Sequence, residues 1–172
     1  MKSIAALALL LMVAAAPAAA EDWFVARAPS DTPDLLAAST VNADGHRLYV
    51  WPFQDRERRL VMIELHLADG LALAAMPRYR IDDGAEVNTD IIRQEGERAN
   101  AMWGNASGGV AFWKAWSGSE PLVPESHPFR QWYTGDNVAF TLPLADGSER
   151  TTVFPLTGAA AAILAATAVG PE

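Results

Sequence analysis

HRLYVWPFQDRERRLVMIELHL, residues 46–67, is the stretch that decides the fold, because it has the pattern of two strands joined by a charged turn. Every second residue of each half is apolar: Leu48 and Val50 in the first, and Val61, Ile63, Leu65 and Leu67 in the second. Side chains alternate between the two faces of a strand, so each set shares one face. If both sets face one core, the numbers of paired residues must sum to an odd number, which pairs Val50 with Ile63. The same register pairs Leu48 with Leu65.

This register also predicts an outward face that is rich in large amphipathic side chains. Its members are Arg47, Tyr49, Trp51, Met62, Glu64 and His66. Either a further layer of structure covers this face or the face binds another molecule. Aromatic residues and arginine concentrate binding energy at interfaces. We therefore take five residues of this face as candidate binding residues: Arg47, Tyr49, Trp51, Glu64 and His66.

Turn signals recur along the chain and separate short segments rich in β-branched and aromatic residues. They are the dipeptides at 44–45, 69–70, 83–84, 108–109, 135–136 and 146–147. This spacing predicts one domain over residues 21–172, mainly β, built as an antiparallel β-sandwich or barrel with a short C-terminal helix. We expect strands at 23–28, 36–41, 46–52, 60–67, 71–76, 79–81, 110–116, 138–142 and 151–154.

Three further segments carry weaker signals. Residues 86–102 contain an apolar pair and then a polar run, which predicts a loop with a short strand or helix. Residues 128–134 predict a short turn of helix. The alanine-rich segment 158–168 predicts the C-terminal helix, with Thr157 as its N-cap.

Residues 1–20 have the layout of a secretory signal peptide. Lys2 precedes an apolar run over residues 4–13, and Ala18-Ala19-Ala20 forms a cleavage site before Glu21. The run is shorter than the roughly 20 residues that span a bilayer, so we expect no stable membrane insertion after cleavage. The expected destination is the periplasm, with the cell surface or medium as the alternative.

Charge and cysteine content exclude several classes of function. The formal net charge is −8, which disfavours binding to nucleic acid. The chain has no cysteine, which rules out a lipoprotein anchor, disulfides and thiol chemistry. Stability must then come from packing, to which six tryptophans contribute.

No motif declares a catalytic or metal site. There is no G-x-S-x-G or H-E-x-x-H motif, and the predicted register puts His46 and His66 on opposite faces. The carboxylates of residues 82–90 lack calcium-loop spacing and fit a hairpin turn. Strand alternation turns Trp113 and Trp116 to opposite faces, which favours packing over a sugar-stacking surface. We expect no catalytic residue, metal or cofactor.

Several short passages carry a resemblance to a known family: DWFV at 22–25, GLAL at 70–73, PRYRIDDG at 77–84, WYTGDNV at 132–138 and TVFPLTGAAAA at 152–162. In these passages the chain resembles the invasion-associated locus B family of exported α-proteobacterial proteins. It departs from the family in lacking cysteines in the first strand and in the middle of the domain. The resemblance implies an exported β-sandwich without known catalysis, linked to the cell envelope or to host-cell interaction, and it supplies no site residues.

The first functional hypothesis is therefore an exported, non-enzymatic binding protein that recognises a protein or envelope component through an aromatic and arginine surface. The oligomeric state is left open. One alternative is a carbohydrate-active or other hydrolytic enzyme that uses carboxylates such as Asp82, Asp83 or Glu64. It predicts a concave pocket with two carboxyl groups beside a tryptophan. A second alternative is a structural component of an envelope assembly.

Overall fold

The computed structural model describes residues 22–68, 70–101 and 104–172, so the expected signal peptide, residues 1–20, lies outside the described residues. The strands are β1 (Phe24–Arg27), β2 (Leu36–Val41), β3 (Arg47–Asp55), β4 (Arg58–His66), β5 (Arg78–Ile81), β6 (Val87–Asn88), β7 (Gly104–Ser107), β8 (Val110–Gly118), β9 (Leu122–Val123), β10 (Asn137–Pro143), β11 (Glu149–Pro155) and β12 (Gly170–Pro171). The helices are α1 (Thr89–Arg98), α2 (Ala159–Thr167) and a 3-10 helix over Pro128–Tyr133.

Two antiparallel sheets form the fold. The first has six strands in the order β1-β2-β3-β4-β8-β7, and the second has four in the order β11-β10-β5-β6. A short parallel pair, β9 and β12, lies beside them. Both sheets contribute to one hydrophobic cluster, and α2 packs against β2 and β3. The fold is an antiparallel β-sandwich with a short C-terminal helix, as the sequence predicts.

The hairpin of β3 and β4 forms in the predicted register. Val50 lies opposite Ile63 and Leu48 lies opposite Leu65, and all four side chains are fully buried. Both strands also run further toward the turn than the apolar pattern indicates, because their backbones continue to pair through the charged tip. We call the side of the six-stranded sheet that turns away from the core its outer face.

A β-bulge changes the prediction for the two tryptophans of β8. Trp113 lies opposite Ile63, but the register then shifts, so that Trp116 lies opposite Val61 and Ala115 is the additional residue. The extra residue turns Trp116 back to the inner face, where both tryptophans are buried. The prediction of opposite faces is therefore wrong, and neither ring is exposed for stacking against a sugar.

An aromatic cluster fills the space between the sheets. The ring of Tyr79 stacks on Trp113 at a centroid distance of 5.9 Å, and it lies 5.6 Å from Trp132 and 5.7 Å from Phe140. Burial raises the pKa of Tyr79 to about 12. Rings of this size remove ~150–250 Å² each from water, so this cluster carries the packing expected of a domain without disulfides.

Side chains from the first sheet hold the open edge of β11. Asn42, in the turn between β2 and β3, donates from Nδ2 to Thr152 Oγ1 (2.6 Å) and to the Val153 carbonyl (3.0 Å). Trp23 donates from Nε1 to the Pro155 carbonyl at 2.7 Å. Thr152 Oγ1 in turn donates to Asp44 Oδ2 at 2.6 Å. These bonds join the two sheets at one corner and satisfy carbonyl groups that an edge strand would otherwise leave unpaired.

Two local predictions are wrong. Residues 71–76 form no strand but an isolated bridge between Leu73 and Leu144, because their hydrogen bonds go to both sheets in turn: Leu73 N–H donates to Gly108 and Ala74 N–H to Pro143. Thr157 does not cap α2, whose N-cap is Gly158 in the left-handed conformation (φ 85°) without a side-chain cap. The ambiguous stretch 86–102 contains both a short strand, β6, and a helix, α1.

We predict that Asn42→Ala lowers the free energy of unfolding by about 2–4 kcal/mol, since it leaves several buried polar groups without partners. Asn42 is almost fully buried, and its Oδ1 also accepts the backbone N–H of Asp44 and of His46. Urea unfolding of the variant measures the loss. Asn105→Ala, at an exposed position of β7, is the matched control and should change little. Equal effects of the two substitutions would contradict the role of the Asn42 bonds.

Acid should destabilise the domain through His46. Burial lowers the pKa of His46, an effect that nearby Asp44 opposes and Arg150 reinforces. Its Nδ1 also accepts the backbone N–H of Ala68 at 2.8 Å. The unfolded chain therefore binds a proton more readily, so this stabilising contribution is complete above about pH 6.5 and is lost as the pH falls below that value.

The test is the free energy of unfolding measured from about pH 5 to pH 7, which should rise with pH. His127, whose pKa burial also lowers, adds to the same slope. His46→Gln should flatten the profile, and an unchanged slope in that variant would contradict this role of His46.

Candidate functional site

The outer face of β3 and β4 brings four of the five candidate binding residues into one chain of contacts. His66 Nε2 lies 2.7 Å from Glu64 Oε1. The His66 ring packs edge-on against Tyr49 at a centroid distance of 5.2 Å, and Arg47 Nη1 lies 3.5 Å from the Tyr49 hydroxyl. The register accounts for this order, since Tyr49 lies directly opposite Glu64 and Arg47 opposite His66.

The fifth candidate, Trp51, lies beside an open groove that also reaches Glu64. The groove has a volume of about 430 Å³. Its floor and walls come from β3, β4, β8 and the loop between β1 and β2, through Pro29, Ser30, Asp31, Trp51, Phe53, Leu60, Met62, Glu64 and Phe112. We call it the outer groove. Glu64 is thus the residue that connects the groove with the contacts of Tyr49, His66 and Arg47.

The β1–β2 loop forms one wall of the outer groove and is held by local hydrogen bonds. Ala28 N–H donates to the Leu35 carbonyl at 2.7 Å, which closes the loop at its base. Within the loop, Ser30 N–H donates to the Ala28 carbonyl (2.8 Å) and Thr32 N–H to Ser30 Oγ (3.1 Å). The wall is therefore built from an ordered turn and not from a helix or strand.

Glu64 has an unusual environment for a carboxylate. Its side chain is 10 % exposed, against 34 % for its partner His66, and Met62 and Phe112 line the groove beside it. Burial of a carboxylate among apolar groups costs free energy that one hydrogen bond offsets only in part. The core does not need this residue, because Glu64 faces away from it.

Two further polar atoms of the outer face are buried. Trp51 Nε1 and Ser39 Oγ have no hydrogen-bond partner among the described residues. A buried donor without an acceptor costs about 1–3 kcal/mol. The core has buried donors of the same kind, since Trp113 Nε1 and Trp132 Nε1 also have no partner among the described residues.

The other candidates from the sequence have structural roles. His46 is buried in the turn before β3, where its Nδ1 accepts the Ala68 N–H, and His127 Nδ1 accepts the Phe129 N–H at the start of the 3-10 helix. Asp82 accepts the backbone N–H groups of Asp136 and Asn137 and, like Asp83, does not line the outer groove. Within the described ranges, no group of three or more His, Cys, Asp or Glu side chains is placed to hold a metal ion.

Sequence reasoning missed most of the nine residues that line the groove. It placed Trp51, Met62 and Glu64 on the outward face but did not identify Asp31, Phe53 or Phe112. Phe112 lies directly opposite Glu64 on β8. Alternation along β8 does not by itself place Phe112 beside Glu64, because nothing in the sequence indicates that β8 pairs with β4.

In comparisons with known proteins, no family model, no curated protein and no solved structure matches the chain. No helix among the residues that the structure describes has the length and apolar character needed to cross a membrane.

We predict that Glu64→Met changes the free energy of unfolding by no more than about 1 kcal/mol, because it removes a costly buried carboxylate and leaves His66 hydrated. The neighbouring Ile63→Ala, on the inner face of the same strand, should cost about 2–5 kcal/mol. Urea unfolding of both variants measures the contrast. A loss above about 3 kcal/mol for Glu64→Met would show that Glu64 is a structural residue.

Proposed function

We propose that this protein is an exported, non-enzymatic binding protein that holds a partner protein or envelope component on the outer face of its six-stranded sheet. The observation that carries the proposal is the outer groove, about 430 Å³ in volume and lined by Trp51, Phe53 and Phe112. Ligand sites span about 300–1,000 Å³ and combine an apolar lining with a few polar groups. The outer groove matches this description, with Glu64 as a polar group.

The surroundings of the groove support a polypeptide partner. Phe53 is 49 % exposed and packs edge-on against Trp51 at a centroid distance of 6.4 Å, so the two rings present one accessible apolar surface. Tyr49 and Arg47 extend the surface beyond the groove along β3. Aromatic residues with arginine are typical of the energetically important part of a protein interface.

Export and a place in the cell envelope are part of this proposal. They rest on the leader sequence of residues 1–20 and on the resemblance to the invasion-associated locus B family. Absence of cysteine and net negative charge are compatible with a free, disulfide-independent domain in that compartment.

A second candidate function is hydrolysis of a carbohydrate, and one observation favours it. The outer groove contains two carboxyl groups, Asp31 and Glu64, beside Trp51. Paired carboxyl groups that flank a sugar are the machinery of glycoside cleavage. The earlier candidates Asp82 and Asp83 lie outside this groove, so Asp31 takes their place in the hypothesis.

The test is affinity capture from the producer's envelope with residues 21–172 as bait. Phe53→Ala should abolish capture of the partner that the wild-type domain retains, since it removes an exposed groove wall. Ile91→Ala is the matched control, because Ile91 is 52 % exposed on α1, away from the groove. Thermal unfolding should be the same for the three proteins. Separately, the native protein isolated from the producer's envelope should begin at Glu21, which sequencing of its N-terminus measures.

Capture that survives Phe53→Ala would refute the outer groove as the binding surface. Turnover of an oligosaccharide that is lost in both Asp31→Asn and Glu64→Gln would instead establish the second candidate. A native protein that still begins at Met1 would contradict export with removal of a signal peptide.

A further inference from the structure

The outer groove has a distinct charge pattern. Asp31 and Glu64 are acidic, and no basic residue lines the groove. Three basic residues of the same face lie outside the lining: Arg47 is opposite His66, Arg58 is opposite Asp55, and Lys114 is opposite Met62. The whole chain is also acidic, with a formal net charge of −8, so the field around the groove favours a cation.

The carboxylate and the rings of the groove suit one kind of cation. The contact with His66 engages Glu64 through Oε1. Trp51, Phe53 and Phe112 supply aromatic faces in the same groove. A guanidinium group can donate to a carboxylate and stack on an aromatic ring at the same time, whereas an ammonium group is a compact, strongly hydrated point charge.

We propose that the outer groove is a receptor for a single arginine side chain of the partner polypeptide, with Glu64 as its counter-ion and the aromatic rings as its walls. This inference rests on the proposed binding function and specifies its ligand. It accounts for an acidic side chain that is nine-tenths buried where the core does not require it. The hydrocarbon stem of the arginine would cover Met62 and Phe53, and Asp31 on the loop would face the same charge from the rim.

The experiment measures binding of two probe peptides, acetyl-Leu-Arg-Leu-amide and its citrulline analogue, by isothermal titration calorimetry. Citrulline has nearly the shape of arginine but carries no charge. We expect the arginine peptide to bind at least about tenfold more tightly, and its affinity to fall as salt is added. Glu64→Gln should remove this preference, so that both peptides bind equally weakly.

Glu149→Gln is the matched control. Glu149 is exposed on β11 and pairs with Arg78 in the other sheet, so its loss should leave the preference for arginine intact. If Glu64→Gln does not fold, the comparison of arginine with citrulline on the wild-type protein still decides the question.

Equal affinity of the wild-type protein for both peptides, or no binding of either, overturns the assignment of arginine. Capture of the partner that Phe53→Ala abolishes would stand independently of that result, so failure of the arginine receptor and failure of the binding function are distinguishable. A lysine peptide that binds as tightly as the arginine peptide would also overturn the choice of guanidinium.

Discussion

The pairing of Val50 with Ile63 fixes the position of almost every residue of the core and of the proposed binding surface in this hairpin. Because side chains alternate along a strand, a slip of one residue would exchange the two faces of the hairpin. Such a slip would bring Glu64 into the core and expose Ile63. The apolar sets of β3 and β4 exclude it, since burial of a carboxylate among the aromatic rings of the core would cost several kcal/mol.

The division into two faces would allow one sheet to serve both stability and the binding function that we propose. Its inner face packs Leu48, Val50, Ile63 and Leu65 against the aromatic cluster, while its outer face keeps Glu64, Trp51 and Met62 in a groove. Polar groups of the outer face are incompletely satisfied, as Trp51 Nε1 illustrates. The domain tolerates such groups on both faces, as Trp113 Nε1 in the core shows, because core packing and the bonds of Asn42 and Trp23 stabilise the sandwich.

The sequence was sufficient for features that depend on local pattern. Alternation predicted the register and the residues of the outer face, and turn signals predicted the β-sandwich and most strands. The sequence did not predict the features that depend on contacts between distant segments. The bulge at Ala115 reverses the face of Trp116, and no local signal marks it. The loop wall at Pro29–Asp31 joins the groove only through tertiary packing, and residues 71–76 have the apolar pattern of a strand but find partners in both sheets.

The register of β3 and β4 in solution, measured by NMR, tests this division into two faces most directly. The backbone bond from Asn42 N–H to the His46 carbonyl sets the alternation of β3, which leaves Val50 and Ile63 as a non-hydrogen-bonded pair with Cα atoms about 4.5 Å apart. We predict a strong nuclear Overhauser effect between the Hα protons of Val50 and Ile63. A strong effect between Val50 Hα and the Hα of Met62 or Glu64 would contradict it, because the core and the groove would then exchange faces.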